Sequence, residues 1–271
     1  MSRDRIQRDV EIKATHGWRL GCALSVLLFS IPAWQGIGTA TESDIGEVEK
    51  GSPTQIEDAY PLEYKELDVE GLFRYERVNQ KSRYVYNPRI EYGFAPNWQA
   101  RLTAQLFTGT ADVSESGNLQ AEILRNFTTE GRWIPALAVS AVGDFPTGHA
   151  AHGLDTTLKL LASKSIGKSI ARPQVHLNFT WTHHGGRTTA ERPDLYGVVV
   201  GYSRLLTAQM MLVADYFHQQ LLLAGRTEDV IELGFRRGLS KTTVIAFGVG
   251  YGLNSDSRDL HVQTSLEVSF R

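Results

Sequence analysis

The last strand-sized stretch of the chain, LHVQTSLEVSF at residues 260–270, alternates between two kinds of side chain. One set, interrupted only by Thr264, is apolar: Leu260, Val262, Leu266, Val268 and Phe270. The residues between them are polar: His261, Gln263, Ser265, Glu267 and Ser269. A period of two is that of a β-strand with one apolar and one polar face. The stretch therefore predicts a strand whose apolar face meets either a protein core or a lipid bilayer.

The same alternation recurs along most of residues 63–271 and predicts twelve strands. Their approximate bounds are 64–77, 83–95, 97–109, 118–130, 132–145, 154–166, 172–183, 194–205, 208–219, 228–239, 241–253 and 260–270. The second face stays polar in strand after strand, aromatic residues gather near strand ends, and short connections alternate with long ones. These features are typical of outer-membrane barrels, which must close because an open sheet edge is not satisfied in lipid.

The predicted fold is therefore all-β: a transmembrane, antiparallel, up-and-down β-barrel of about twelve strands in the bacterial outer membrane. An even number of strands places both termini on one side, which we expect to be the periplasm. Arg125 falls on the apolar face of the fourth strand, where arginine is costly at mid-membrane. We therefore expect a bulge at Arg125 or a position near a membrane interface.

The N-terminal region has the order of a secretory signal peptide. A basic stretch precedes the apolar run LGCALSVLLFSIPAW, and the small residues Gly38 and Ala40 follow it. This order predicts a cleaved signal peptide over residues 1–40, with an uncleaved signal anchor as the alternative. Cleavage would remove the only cysteine, Cys22. Residues 41–62 are predicted to form a periplasmic tail, too short for a plug domain, before a barrel of residues 63–271.

Charge and composition restrict the partners. The net charge is −2, and no basic domain of the kind that nucleic-acid binding favours is present. The expected partners are outer-membrane lipid, the outer-membrane assembly machinery and a small-molecule solute, without nucleic acid and without a cofactor. The assembly machinery commonly recognises a terminal aromatic residue, and Phe270 is penultimate in this chain.

The polar faces of the predicted strands carry charges of both signs, and these side chains are the candidate lumen and selectivity residues. They are Glu70, Arg74, Arg89, Glu91, Arg101, Gln105, His176, Asn178, Glu232, Arg236 and Glu267. Charged rings in a narrow polar path would set solute selectivity. The alternative is an internal salt-bridge network that fills the barrel. The sequence leaves both open, because both need the same residues.

Several stretches resemble a known family: IEDAYPLEYKELDVEG, IEYGFAPNWQARLTAQL, GDFPTGHAAHGLDTTLKLLASKSIG and VIELGFRRGLSKTTVIAFGVGYGL. They are similar to outer-membrane β-barrel proteins of the phenol-degradation meta-pathway type, described as transporters. The most specific piece is the loop motif Pro146, Thr147 and Gly148, after which His149 replaces the acidic residue often found in that family. The resemblance implies a barrel with a role in uptake, and does not identify a solute.

The sequence thus predicts a channel or transporter-like barrel for passive uptake of small solutes, with hydrophobic or aromatic solutes as candidates. A structural or secretion-accessory barrel is the alternative, and an outer-membrane lipid hydrolase is a weaker one. A hydrolase needs a nucleophile, a base and an orienting group within hydrogen-bond reach. His176, Asn178 and Thr180 form only a polar ladder along one strand, so no enzyme activity and no catalytic residues are predicted. Solvated loops account for the histidines near the outer ends, so no metal site is predicted: His149, His152, His183, His184 and His218.

Overall fold

The computed structural model describes residue 48 and residues 50–111, 116–148, 153–167, 169, 171–185 and 189–271. The predicted signal peptide (residues 1–40), the first part of the predicted tail (residues 41–47), and His149 and His152 lie outside the described residues. Within the described ranges, no helix is long and apolar enough to cross a membrane.

The described chain forms twelve antiparallel strands that close into one barrel. They are β1 (Leu67–Val78), β2 (Lys81–Ala95), β3 (Trp98–Gly109), β4 (Ser116–Thr128), β5 (Ala136–Phe145), β6 (Asp155–Ser165), β7 (Gln174–His183), β8 (Asp194–Thr207), β9 (Met210–Gln220), β10 (Thr227–Gly238), β11 (Thr243–Gly252) and β12 (Leu260–Phe270). Consecutive strands are hydrogen-bonded neighbours, and β1 pairs with β12. The predicted fold is confirmed, and each predicted strand overlaps one observed strand.

The two faces of the barrel wall differ in exposure as the alternation predicts. On β12, Leu266 and Phe270 are each 49% exposed, whereas His261 and Gln263 are fully buried. The same division runs around the barrel, so the outer surface is apolar and the inner surface is polar. β12 therefore turns its apolar side outward, away from the barrel interior.

The barrel has two ends, which differ in their connections. The termini end is where β1 begins and β12 ends, and the loop end is opposite. At the loop end the connections are 79–80, 110–115, 146–154, 184–193, 221–226 and 253–259. At the termini end they are 96–97, 129–135, 166–173, 208–209 and 239–242. The longer connections thus lie mostly at the loop end, although 129–135 and 166–173 are also extended.

Arg125 points outward and lies near the termini end of β4. It is the register partner of Trp98, the first residue of β3. Its guanidinium lies 4.8 Å from the centre of the Trp98 ring and 4.7 Å from that of Phe127. Stacking on aromatic faces offsets part of the cost of an outward arginine. This position near one end of the barrel agrees with the expectation that Arg125 lies near a membrane interface.

The described part of the predicted tail lies inside the barrel, whereas the sequence predicts a periplasmic tail too short for a plug domain. Residues 50–62, named the lumen segment, precede β1 and run between the inward-facing side chains. Ile56, Ala59 and Leu62 are buried. A single chain can fill the lumen without a core of its own because the barrel wall supplies both apolar contacts and hydrogen-bond partners.

Candidate functional site

The barrel wall holds the main chain of the lumen segment through inward-facing polar side chains. Asn178 on β7 accepts a hydrogen bond from the Glu57 amide (2.9 Å) and donates one to the Glu57 carbonyl (2.6 Å). Ser163 on β6 accepts from the Ala59 amide (3.0 Å), and Asn126 on β4 donates to the Ala59 carbonyl (2.6 Å). Buried main-chain groups need such partners because an unpaired one costs free energy.

Further bonds extend the anchorage along the segment. The Gln55 amide donates to the Glu232 carboxylate on β10 (2.6 Å), and the Leu62 amide donates to Gln99 Oε1 on β3 (2.9 Å). The segment is therefore attached to opposite parts of the barrel wall rather than to one strand.

Two glycines let the segment approach the wall closely. A Cβ added at Gly201 would clash with the Ile56 side chain, and one added at Gly248 would clash with the Pro53 carbonyl. The same carbonyl accepts a hydrogen bond from Gln263. These inward positions therefore lack side chains where the segment passes.

Glu57 of the lumen segment places its carboxylate within a buried charge cluster of the barrel wall. It accepts from Arg101 Nη1 (2.8 Å) and Lys159 Nζ (2.7 Å). Glu122 on β4 bonds the same two cations, at 3.0 Å and 2.8 Å. All four side chains are buried. Two cations and two carboxylates balance each other, and one of those carboxylates comes from the lumen segment.

Apolar side chains pack against the segment on two sides. Ala59 lies in a cluster formed by wall residues of β4, β5 and β6: Leu124, Ala136, Ala138 and Leu161. Ile56 and Val48 pack with Met211 and Val213 of β9. The lumen is thus not uniformly polar, and these inward apolar positions coincide with the segment.

The structure places all the predicted lumen residues on the inner face. Most are buried, and Arg74 and Gln105 are half-buried. Arg89 forms ion pairs with Glu70 and with Glu91 (2.9 Å), and Arg101 also bonds Glu91 (2.9 Å). These contacts match the alternative of an internal salt-bridge network.

Three further predicted lumen residues are also paired. Arg236 bonds Glu267 at 3.1 Å, and Glu232 bonds His261 at 2.5 Å. Arg236 also donates to the carbonyl of Ser52 in the lumen segment (3.2 Å). The lumen segment therefore bonds charged wall residues at Ser52 as well as at Glu57.

His176 has two serine neighbours that a single-strand view of the sequence missed. Its Nδ1 lies 3.0 Å from Ser163 Oγ on β6, and its Nε2 lies 3.0 Å from Ser203 Oγ on β8. Strand pairing brings the three residues together, although the sequence separates them. Because Ser163 also bonds the Ala59 amide, the arrangement supports the lumen segment rather than presenting a nucleophile to a solute.

Arg258 was missed because it falls between the predicted strands 241–253 and 260–270. It lies between β11 and β12 and turns into the barrel, where it bonds Glu228 (2.6 Å) and Glu76 (2.7 Å). Burial disfavours the charged guanidinium, but the bonds to these carboxylates outweigh burial and raise the pKa of Arg258. Its side chain therefore lies inside the barrel near the loop end.

A second connection, at the termini end, holds the exit of the lumen segment. Glu130 accepts hydrogen bonds from Lys164 Nζ (2.7 Å), the Ser165 amide (2.9 Å) and Tyr60 (3.2 Å). Partial burial raises the pKa of Glu130, but the bonds from Lys164 and Ser165 outweigh it and leave the pKa below its ordinary value.

The family-motif loop serves as a connection at the loop end. Thr147 Oγ1 accepts from the Leu119 amide (2.9 Å), and the Gly148 amide donates to Asn118 Oδ1 (3.3 Å). Pro146 is exposed. These bonds fasten the β5–β6 connection to β4.

The described histidines of the loop end pair individually with aspartates. His183 bonds Asp194 (3.0 Å) and His184 bonds Asp155 (2.6 Å). His218 bonds an aspartate of β10 in the same way. Within the described ranges, no group of three or more His, Cys, Asp or Glu side chains is arranged to hold a metal ion.

Comparison with known proteins identifies the fold and not the family. No family model and no curated protein matches the sequence. An outer-membrane channel from Pseudomonas putida F1 matches with a TM-score of 0.59 at 12% identity, over 79% of this chain and 98% of that one. The NanC porin matches with a TM-score of 0.54 at 10% identity, over 76% and 99%. The chain has the fold of outer-membrane channels.

The KdgM porin matches with a TM-score of 0.51 at 7% identity, over 75% of this chain and 98% of the porin. Identities this low show the fold alone. The resemblance to the phenol-degradation meta-pathway type therefore stays a prediction.

Proposed function

We propose that this chain is an outer-membrane channel for passive uptake of small solutes, and that the lumen segment closes it in the conformation described. The observation that carries the proposal is the lumen segment itself. It crosses a polar barrel interior as a single stretch of chain and continues directly into β1. Barrels of this fold include channels and porins, which supports a transport role.

The outer membrane is the proposed location because the outward face is apolar and the fold is shared with outer-membrane proteins. The longer connections lie mostly at the loop end, so we propose that this end faces outward and that both termini are periplasmic. Outer-membrane lipid and the assembly machinery are the proposed partners, and Phe270 ends β12 on the outer face, 49% exposed.

Opening the channel requires the segment to leave its contacts. Its main-chain hydrogen bonds would be replaced by bonds to water, so each contributes only about 0.5–1.5 kcal/mol net. The buried ion pairs of Glu57 are the more costly contacts, because removing one partner leaves buried charge uncompensated. We therefore propose that Glu57 is the principal attachment of the closed state.

The filled lumen also supports a second candidate, a structural barrel that does not conduct. The preference for aromatic solutes that the family resemblance suggests stays a prediction. We propose no catalytic role, because the polar groups at His176 are engaged in holding the lumen segment.

Conductance in planar bilayers tests the proposal. The predicted mature chain, residues 41–271, should show little or no current, and residues 63–271, without the lumen segment, should conduct in discrete steps. A heat-modifiability gel confirms that each barrel is folded. A folded but non-conducting 63–271 barrel would favour the structural role. If that truncation does not fold, the Glu57 variants in the Discussion apply the same test to the complete barrel.

A further inference from the structure

The lumen differs between its two ends. Near the lumen segment the inward side chains are buried, as at Arg101, Glu122 and Lys159. Toward the loop end of β3–β7, the inward polar side chains are only half-buried. We name these residues the vestibule wall: Thr103, Gln105, Gln120, Thr157, Thr180 and Thr182. Inward-facing side chains with partial exposure line solvent-accessible space inside the barrel.

The strand register brings the two parts of the vestibule wall to either side of β5. Thr103 on β3 pairs with Gln120 on β4, which pairs with Asp144 on β5. On the next strands Thr157 pairs with Thr182, and their hydroxyls lie 2.8 Å apart. The wall therefore lies on both sides of β5, whose inward Val142 is the register partner of Thr157.

A charged floor lies one step along the same strands toward the termini end. Arg101 pairs in register with Glu122, and Lys159 pairs with Thr180. The cations of this floor bond Glu57 and Glu122. The lumen segment therefore contributes the bottom of the vestibule through Glu57.

The chemistry of the wall is hydroxyl and amide. Threonine hydroxyls and glutamine amides both donate and accept hydrogen bonds without carrying charge. Beside them on β5, the Asp144 carboxylate accepts a hydrogen bond from the Gln120 amide (2.7 Å). The charges of the floor, in contrast, are already balanced within the cluster.

We propose that the vestibule wall is a binding site for neutral polyhydroxylated solutes of small-sugar size. The inference rests on the proposed channel function and assigns its solute class. Hydroxyl groups of such a solute can both donate to and accept from the threonine hydroxyls and glutamine amides. Several neutral hydrogen bonds give weak binding, which suits a channel because the solute must also leave. A carboxylated solute instead meets the Asp144 carboxylate beside the wall, and the cations of the floor already bond Glu57 and Glu122.

Binding to the refolded chain, residues 41–271, in a detergent without a sugar headgroup tests this site. The probes are sucrose, gluconate and phenol, and saturation-transfer NMR with competition measures their affinities. Sucrose should bind more tightly than gluconate or phenol. Thr103→Val and Thr157→Val keep the side-chain shape and remove a hydroxyl, and each should weaken sucrose binding roughly fivefold. Thr156→Val is the matched control, because Thr156 is exposed on the outer face beside Thr157.

The comparison of probes on the unchanged protein keeps the test valid even if a variant folds poorly. Absence of sucrose binding, or tighter binding of phenol or gluconate, would overturn the assignment. Equal losses in Thr157→Val and Thr156→Val would also overturn it. The channel is tested separately: if residues 63–271 conduct and sucrose does not bind, the channel stands and the solute class falls. Sucrose binding to a barrel that never conducts would uphold the site and remove the channel.

Discussion

Replacing Glu57 with alanine removes one carboxylate from a buried cluster and leaves the main-chain bonds of the lumen segment in place. In the structure, Glu57 lies 2.8 Å from Arg101 Nη1 and 2.7 Å from Lys159 Nζ. Without it, Lys159 keeps only Glu122, Arg101 keeps Glu122 and Glu91, and the cluster loses one negative charge. Both Asn178 bonds to residue 57 use the main chain and remain available.

The magnitude follows from the cost of an uncompensated buried charge. Removing one partner of a buried ion pair costs about 3–5 kcal/mol. Because Glu122 remains, we expect the lower end, about 3 kcal/mol, to be lost from the closed state. Since about 1.4 kcal/mol corresponds to a factor of ten, the displaced segment should be populated about a hundredfold more often. Glu57→Gln keeps a hydrogen-bond acceptor and should give an intermediate effect.

Single-channel recording measures the change as open probability at fixed voltage. Glu57→Ala should open far more often than the parent protein. Glu63→Ala is the matched control, because Glu63 is exposed just beyond the same segment and pairs with Arg271 near the end of the chain. Parent-like currents in a folded Glu57→Ala barrel would refute the assigned role of Glu57. An equal rise in the Glu63→Ala protein would show that the effect is not specific to the buried cluster.

Three further predictions concern the faces, the topology and the pH dependence of the barrel. Leu177→Arg on the outer face should reduce folded yield in outer membranes, at a cost of about 2–4 kcal/mol near mid-membrane, whereas Leu239→Arg in the β10–β11 connection should not; equal yields would contradict the assigned register. A membrane-impermeant maleimide added to intact cells should label Ala224→Cys at the loop end but not Lys241→Cys at the termini end, and the reverse pattern would invert the proposed topology. The lowered pKa of Glu130 stabilises the barrel above its unfolded pKa, and this contribution is lost as pH falls through the folded pKa. Glu130→Gln should therefore make the urea-unfolding midpoint depend less on pH below about pH 4.5. An unchanged dependence of the midpoint on pH would exclude this role.

The arrangement of strands follows from the sequence because it depends on local alternation. Phe270 and Glu267 fall on opposite faces of β12 through the two-residue period alone, and the structure agrees. Closure also follows, since an apolar outer face leaves no other way to satisfy the strand edges in lipid. The inward direction of Arg89 and Glu232 was predictable for the same reason.

The partners of those inward residues were not predictable, because strand register and barrel closure decide them. His176 meets Ser163 and Ser203 only when β6, β7 and β8 pair in one register. No local pattern in a sequence records such an offset between separate strands. Arg258 was missed likewise, because its polar surroundings in the sequence do not show that its connection folds inward.

The sequence by itself therefore determined a closed twelve-stranded barrel, its apolar exterior and its charged interior. Only the tertiary structure decided that residues 50–62 occupy that interior. The polar, acidic composition of the predicted tail, residues 41–62, fits a solvated tail equally well when it is considered alone. Its burial becomes favourable only when the closed barrel brings distant groups around it, as when Arg101 and Lys159 converge on Glu57. The free energy that holds the segment belongs to contacts between parts of the chain far apart in sequence, and local periodicity carries no information about them.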